Sequence, residues 1–125
     1  MGLGSLVDGF ARVLRDKALV EGKLPASTRY LDVDGVRGWL YPVRTELGDA
    51  FRLFLWFDGA GYQVRVVEPD VEKRFDPHAS HVLPDGRLCL SETGAGMGTL
   101  DAAYARSVVW CNGFSAFLRE DRFPF

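Results

Sequence analysis

The sequence predicts an α+β domain in which one helix precedes, and another follows, a set of antiparallel strands. Helical periodicity occurs near the two ends of the chain, and alternating apolar patterns separated by short turns lie between them. The chain has 125 residues, enough to bury roughly two thirds of its unfolded surface in a single core. We therefore expect one domain spanning residues 1–125.

The first predicted helix starts with a capping-box-like sequence at residues 5–8 and runs to about Ala18. Gly22 and Pro25 then end it and open a short loop. Its expected apolar face, which should pack on the core, consists of Leu6, Phe10, Val13 and Leu14.

Four strand patterns follow this helix. The two weaker ones cover residues 30–33 and 36–43, and they are separated near Asp34-Gly35. The two stronger ones, residues 51–57 and 62–67, alternate on either side of an Asp-Gly-Ala-Gly turn and predict a hairpin. Because both faces of 51–57 are apolar, we expect a central strand that is covered on both sides.

A second helix is predicted from Thr99 or Asp101 to about Glu120. One of its two expected caps is a hydroxyl residue and the other an acid, both common at helix starts. Cys111 belongs to its apolar stripe, which favours a structural role for this thiol. The stripe consists of Leu100, Tyr104, Val108, Cys111, Phe114 and Leu118.

The composition is that of an ordinary globular protein, with 47% hydrophobic and 26% charged residues. A net charge of -2 without a run of basic residues argues against a nucleic-acid binder. No long apolar stretch or signal-like start occurs, which indicates a cytoplasmic protein. Two distant cysteines do not define a secreted disulfide scaffold, so free thiols are expected.

The segment most suggestive of chemistry is 81–90, His-Val-Leu-Pro-Asp-Gly-Arg-Leu-Cys-Leu. Pro-Asp-Gly predicts a tight turn that reverses the chain just before Cys89 and presents this thiol at the start of a short apolar segment. His81 lies eight residues upstream. The alternative is that Cys89, between two leucines, is a small buried hydrophobic residue.

This segment resembles the active-site segment of ubiquitin-conjugating enzymes, in which a His-Pro-Asn triplet is followed by seven residues and then by the nucleophilic cysteine. It is most similar to short bacterial members found beside ubiquitin-like modifiers, activating enzymes and metallopeptidases. The positions that match the family are Gly86, Leu88, Cys89 and Leu90. The triplet positions hold Ala79, Ser80 and His81, so His81 stands where the family has its asparagine.

The resemblance implies a UBC-like fold: an N-terminal helix, a four-stranded antiparallel sheet, an irregular active-site segment and a C-terminal helix. It implies that Cys89 accepts a ubiquitin-like protein as a thioester from an activating enzyme and transfers it to an amine on a target protein. Such bacterial pathways are linked to antiviral defence. The first helix would help to bind the activating enzyme through Arg12, Arg15 and Lys17, unless these residues are only its solvated face.

His81 can donate an N–H to the thioester oxyanion or act as a base near neutral pH, and we favour the donor because of its position. It can also be an ordinary surface histidine. Asp85 is expected to be a turn residue, whereas Glu92 or Asp101 would lower the cost of deprotonating the incoming amine, and the spacing does not select between them. The glycine-rich run 91–99 is expected to be mobile and to gate the thiol.

Other function classes fit less well. A catalytically silent adaptor of the same fold, binding a ubiquitin-like protein, is the main alternative, but such adaptors usually lack the cysteine. A redox protein would need a second nearby cysteine. No cofactor is expected, and no zinc site either, because the formal ligand set has no Cys-x-x-Cys; that set is His78, His81, Cys89 and Cys111.

Overall fold

The computed structural model describes residues 3–71, 81–120 and 122–124. The expected α+β class is confirmed, with an N-terminal helix, a four-stranded antiparallel sheet and a C-terminal helix. The elements, in chain order, are α1 (Leu3–Lys23), β1 (Arg29–Val33), β2 (Val36–Arg44), β3 (Ala50–Phe57), β4 (Tyr62–Glu68) and α2 (Leu100–Glu120). The irregular segment expected before Cys89 lies mostly in residues 72–80, outside the described residues.

The sheet has the order β1-β2-β3-β4, so each strand pairs with the next one along the chain. The observed strands begin and end within one residue of their predicted bounds, because alternation and turn residues are local signals. β4 forms one edge of the sheet, and the chain later returns to this edge at Arg87 and Met97. None of the described helices is both long and apolar enough to cross a membrane.

α2 packs across one face of the sheet and forms the main core. The hydroxyl of Tyr41, in β2, lies 2.7 Å from that of Ser107, in α2. Cys111 is fully buried in this core, and burial raises the pKa of its thiol to about 12. The structural role predicted for Cys111 is therefore confirmed.

The buried stripe of α2 differs partly from the predicted one. Leu118 is exposed, whereas Ser107 and Ser115 are buried. The hydroxyl of Ser115 donates to that of Thr45 at 2.8 Å, which satisfies a polar group that periodicity alone would place on the surface. The residues buried along α2 are Leu100, Ala103, Ser107, Trp110, Cys111, Gly113, Phe114, Ser115 and Phe117.

The predicted apolar face of α1 is largely wrong, because Phe10 and Leu14 are each more than half exposed. Leu6 lies outside the described side chains, and Val13 is partly buried. The helix continues five residues beyond the expected end, to Lys23, and only its second half reaches the core. There Val20 is buried, and Asp16 accepts a hydrogen bond of 2.6 Å from the Tyr62 hydroxyl.

The second face of the sheet has no described helix over it, so the expected cover on both sides of β3 is not found there. Phe54 is nevertheless buried, because its ring lies over Gly38 in β2 and stacks on Trp56 at a centroid distance of 5.9 Å. Other apolar side chains of this face are exposed, among them Leu31, Val33, Val36 and Val67.

Gly38→Ala should lower the free energy of unfolding by about 1–3 kcal/mol, because a Cβ there would lie 2.5 Å from the Leu55 carbonyl oxygen and 2.6 Å from the Phe54 ring. The matched control is Gly9→Ala in α1, where a Cβ meets no atom within 4 Å and helix propensity should add about 0.5–1 kcal/mol. Urea denaturation measures both, and equal stabilities of the two variants would contradict the packing argument.

Candidate active site

Cys89 is presented by a small hairpin built around the predicted Pro-Asp-Gly turn. Leu83 and Arg87 flank the three-residue loop, and the Leu83 amide donates to the Arg87 carbonyl at 2.7 Å. The amide of Gly86 closes the turn on the Leu83 carbonyl at 2.8 Å, and its φ of 92° needs glycine. The predicted turn is therefore confirmed.

The hairpin is docked on the free edge of β4. The Leu88 amide donates to the Val64 carbonyl at 2.8 Å, and the guanidinium of Arg65 donates to the Asp85 carbonyl. Leu88 and Leu90 are both buried, so the side chain between them is directed outward. A tight turn, in which the Leu90 amide donates to the Leu88 carbonyl at 3.0 Å, completes this arrangement.

The Cys89 thiol is consequently exposed and free, which excludes the buried alternative. Its Sγ lies 3.7 Å from the carbonyl oxygen of Ser91, a weak contact that leaves the sulfur accessible.

His81 lies beside Cys89. Its carbonyl accepts a 3.0 Å hydrogen bond from the Cys89 amide, and both side chains line one cavity of about 100 Å³. The imidazole stacks on the Phe123 ring at a centroid distance of 4.4 Å and an angle of 29°. Its φ of 59° lies in the left-handed region, which non-glycine residues seldom occupy. The structure thus brings the two predicted catalytic residues together.

Asp85 belongs to the turn, as expected. Its carboxylate accepts from the backbone amide of Arg87 at 3.2 Å and from Nε of the same residue at 2.7 Å. Burial raises the pKa of Asp85, but these hydrogen bonds and the nearby positive charge outweigh burial and hold it below its usual value. Asp85 therefore stabilises the turn and does not line the cavity.

Glu92 and Asp101, the two candidates for easing deprotonation of the amine, do not line the cavity either. Glu92 is exposed in the turn after the thiol. Asp101 lies at the start of α2, where its carboxylate is 3.3 Å from the Lys23 amine. Glu92 remains close to Cys89 in sequence, and its role stays a prediction.

The glycine-rich run is fastened to β4. Tyr62 and Met97 exchange backbone hydrogen bonds of 2.8 and 2.9 Å. The Gly94 carbonyl accepts from Arg87 at 3.0 Å and from Gln63 at 3.3 Å. Opening this segment would break these bonds, and its proposed gating of the thiol stays a prediction.

The basic residues of α1 have different surroundings. Arg15 and Lys17 are exposed, as expected for a contact with an activating enzyme. Arg12, in contrast, is largely covered: its guanidinium lies 4.2 Å from the centre of the Phe57 ring and 3.4 Å from the Asp16 carboxylate. Arg12 is therefore less exposed than expected, because the ring and the carboxylate hold it against the core, and its contact with an activating enzyme stays a prediction.

Sequence reasoning missed three residues of the cavity wall. Arg106, Val109 and Trp110 line it from α2. Their spacing places them on one helix face, but no local signal shows that this face meets Cys89. Among the described residues, no group of three or more His, Cys, Asp or Glu is placed to hold a metal ion, and His78 lies outside them.

Asp58→Ala should destabilise the fold by about 1–2 kcal/mol at neutral pH. The carboxylate accepts from the amides of Gly61 and Ala60, both at 2.8 Å, and from Gln63 at 3.0 Å. These bonds lower the pKa of Asp58 below its usual value of 3.8. The stabilisation by the ionised Asp58 carboxylate is therefore fully present above its usual pKa of 3.8, and it is lost as the pH falls through the lower pKa of the folded state.

Urea denaturation of the native protein and of Asp58→Ala at pH 7 and at pH 3 measures this effect. The difference between their free energies of unfolding should shrink at the lower pH. Asp8→Ala, on the exposed side of α1, is the control and should change stability by less than about 0.5 kcal/mol. A difference that is the same at both pH values would contradict the assignment.

Comparisons with protein-family models, with curated proteins and with solved structures found no significant match to this chain.

Proposed function

We propose that this chain is a ubiquitin-conjugating-like enzyme. Cys89 accepts a ubiquitin-like protein as a thioester from an activating enzyme and transfers it to an amine on a target protein. The observation that carries the proposal is the exposed thiol of Cys89, held between two buried leucines and beside His81. The segment's resemblance to the active site of ubiquitin-conjugating enzymes supports the same conclusion.

The order of the elements also supports a UBC-like fold. A helix, four antiparallel strands in sequential order, the cysteine segment and a further helix follow one another as the resemblance implies. The family members that the cysteine segment most resembles are short bacterial ones. The proposal therefore places the enzyme in the cytoplasm, in a bacterial modifier pathway of the kind linked to antiviral defence.

In the first step, the Cys89 thiolate attacks the carbonyl carbon of the thioester on the activating enzyme. The new C–S bond forms as the old one breaks, and the leaving thiolate takes up the proton that Cys89 has lost. The free energies of the two thioesters are similar, so the step needs no cofactor. It needs an accessible sulfur, which the exposure of Cys89 supplies.

In the second step, an amine nitrogen attacks the same carbonyl carbon. The C–N bond forms, the C–S bond breaks with Cys89 leaving as a thiolate, and the proton that the amine loses is taken up by this thiolate or by solvent. Negative charge develops on the carbonyl oxygen between these events. His81 stands at the position of the family's asparagine, and its N–H is the proposed donor to that oxygen.

Cys89→Ala should abolish thioester formation. Intact mass spectrometry should detect an adduct, lost on reduction, after the protein is mixed with a ubiquitin-like protein, its activating enzyme and ATP. Cys111→Ala removes the buried thiol and is the matched control, which should still form the adduct. If no adduct forms although the activating enzyme is charged, the chain is not a conjugating enzyme, and binding of the modifier alone would favour the silent adaptor.

His81→Ala should slow discharge of the Cys89 thioester to an amine by about a hundredfold, the effect of losing one oxyanion donor. His81→Asn keeps an N–H donor but has no basic nitrogen. Single-turnover discharge of the preformed thioester compares the two variants. If His81 is the donor, His81→Asn should restore most of the discharge rate. An equal loss in His81→Ala and His81→Asn would indicate that His81 acts as a base. Normal discharge by both variants would show that His81 has no role in the step.

A further inference from the structure

Arg106 is a charged side chain in the wall of the cavity that also contains the Cys89 thiol and the His81 imidazole. It lies in the second turn of α2, on the face that meets the cysteine segment. Val109 and Trp110 form the apolar part of the same wall. Arg106, His81 and Cys89 thus line one space of about 100 Å³, roughly three water molecules at liquid density.

The orientation of Arg106 is set by the segment that carries the nucleophile. Its Nε lies 3.4 Å from the carbonyl oxygen of Leu90, the residue directly after Cys89. A guanidinium has five N–H groups in a planar fork. The Leu90 contact uses only the Nε hydrogen, so the four hydrogens of the two terminal nitrogens can reach a ligand.

The charge of Arg106 is not used in an ion pair within the described part of the chain. No described carboxylate lies within 4 Å of its guanidinium, whereas the guanidinium groups of Arg12, Arg87 and Arg119 each contact an aspartate. A single long hydrogen bond on an exposed side chain also contributes little to stability. The structural requirement for an arginine here is therefore small.

We propose that Arg106 is a catalytic residue that binds the carbonyl oxygen of the Cys89 thioester and stabilises the oxyanion formed from it. This inference rests on the proposed function. When the nucleophile attacks, the carbonyl electron pair moves to oxygen; when the C–S bond breaks, the pair returns and restores the carbonyl group. Arg106 gives up no proton in either event, because the guanidinium stays charged at all working pH values.

A cation is effective at this position for two reasons. The oxyanion develops full negative charge, and a donor that is already charged and already oriented needs no reorganisation when that charge appears. Arg106 and His81, which line the same cavity, then both donate to this oxygen.

The test uses a chemical acyl donor, so it does not depend on which protein is the natural modifier. Full-length protein is acylated at Cys89 with the mercaptoethanesulfonate thioester of acetylglycine, and the donor is removed. Ethanolamine is then added, and intact mass spectrometry follows loss of the acyl group. A peptide of residues 86–92, acylated on Cys89, gives the discharge rate in the absence of the cavity.

Arg106→Gln should slow discharge by about tenfold to a hundredfold. Arg106→Lys keeps the charge but loses the planar fork, so its discharge rate should lie between those of Arg106→Gln and the native protein. Arg52→Gln is the charge-matched control: Arg52 lies on the exposed face of β3, its contact with Glu68 is 3.8 Å, and its loss should leave the rate unchanged.

An unchanged rate in Arg106→Gln, with an unchanged melting temperature, would overturn the inference. A native rate no faster than that of the peptide would overturn it too, since the cavity would then stabilise no oxyanion. Failure of the proposed function is distinguishable: the native protein would then receive no modifier from a charged activating enzyme, even if Arg106→Gln slows discharge of the chemical acyl group.

Discussion

The candidate site depends on the free edge of β4. A strand at the edge of a sheet leaves backbone groups unpaired, and here the chain itself returns to pair with them twice. The Leu88 amide bonds the Val64 carbonyl just before the thiol, and Met97 exchanges two hydrogen bonds with Tyr62 after it. The residues before and after Cys89 are thereby both held on β4. The irregular backbone between them has a defined geometry for this reason.

α2 serves the core and the site with the same residues. Trp110 packs against Phe51 at a ring distance of 6.1 Å and also lines the cavity beside Cys89. Phe123, which stacks on His81, continues this aromatic cluster through Trp110 and Phe117. The imidazole is thus positioned by groups that belong to the core. A mutation in this cluster would alter stability and site geometry together.

Local signals account for what could be predicted about the fold. The strands begin and end close to the expected residues because alternation and turn residues act within a few positions. The Pro-Asp-Gly turn formed as expected for the same reason. The exposure of Cys89 was open at the level of sequence, since a thiol between two leucines fits either environment. Burial of Leu88 and Leu90 against the sheet decided it.

The sequence by itself determined the α+β class, the approximate bounds of the strands and the turn before Cys89. Only the tertiary structure decided which helix faces are covered, that Arg12 is held on Phe57, and that Arg106 lines the same cavity as Cys89. Periodicity shows that a helix has a face, but what lies against that face depends on residues far away in the chain. Arg106 and Cys89 line one cavity because α2 packs on the sheet beside the β4 edge.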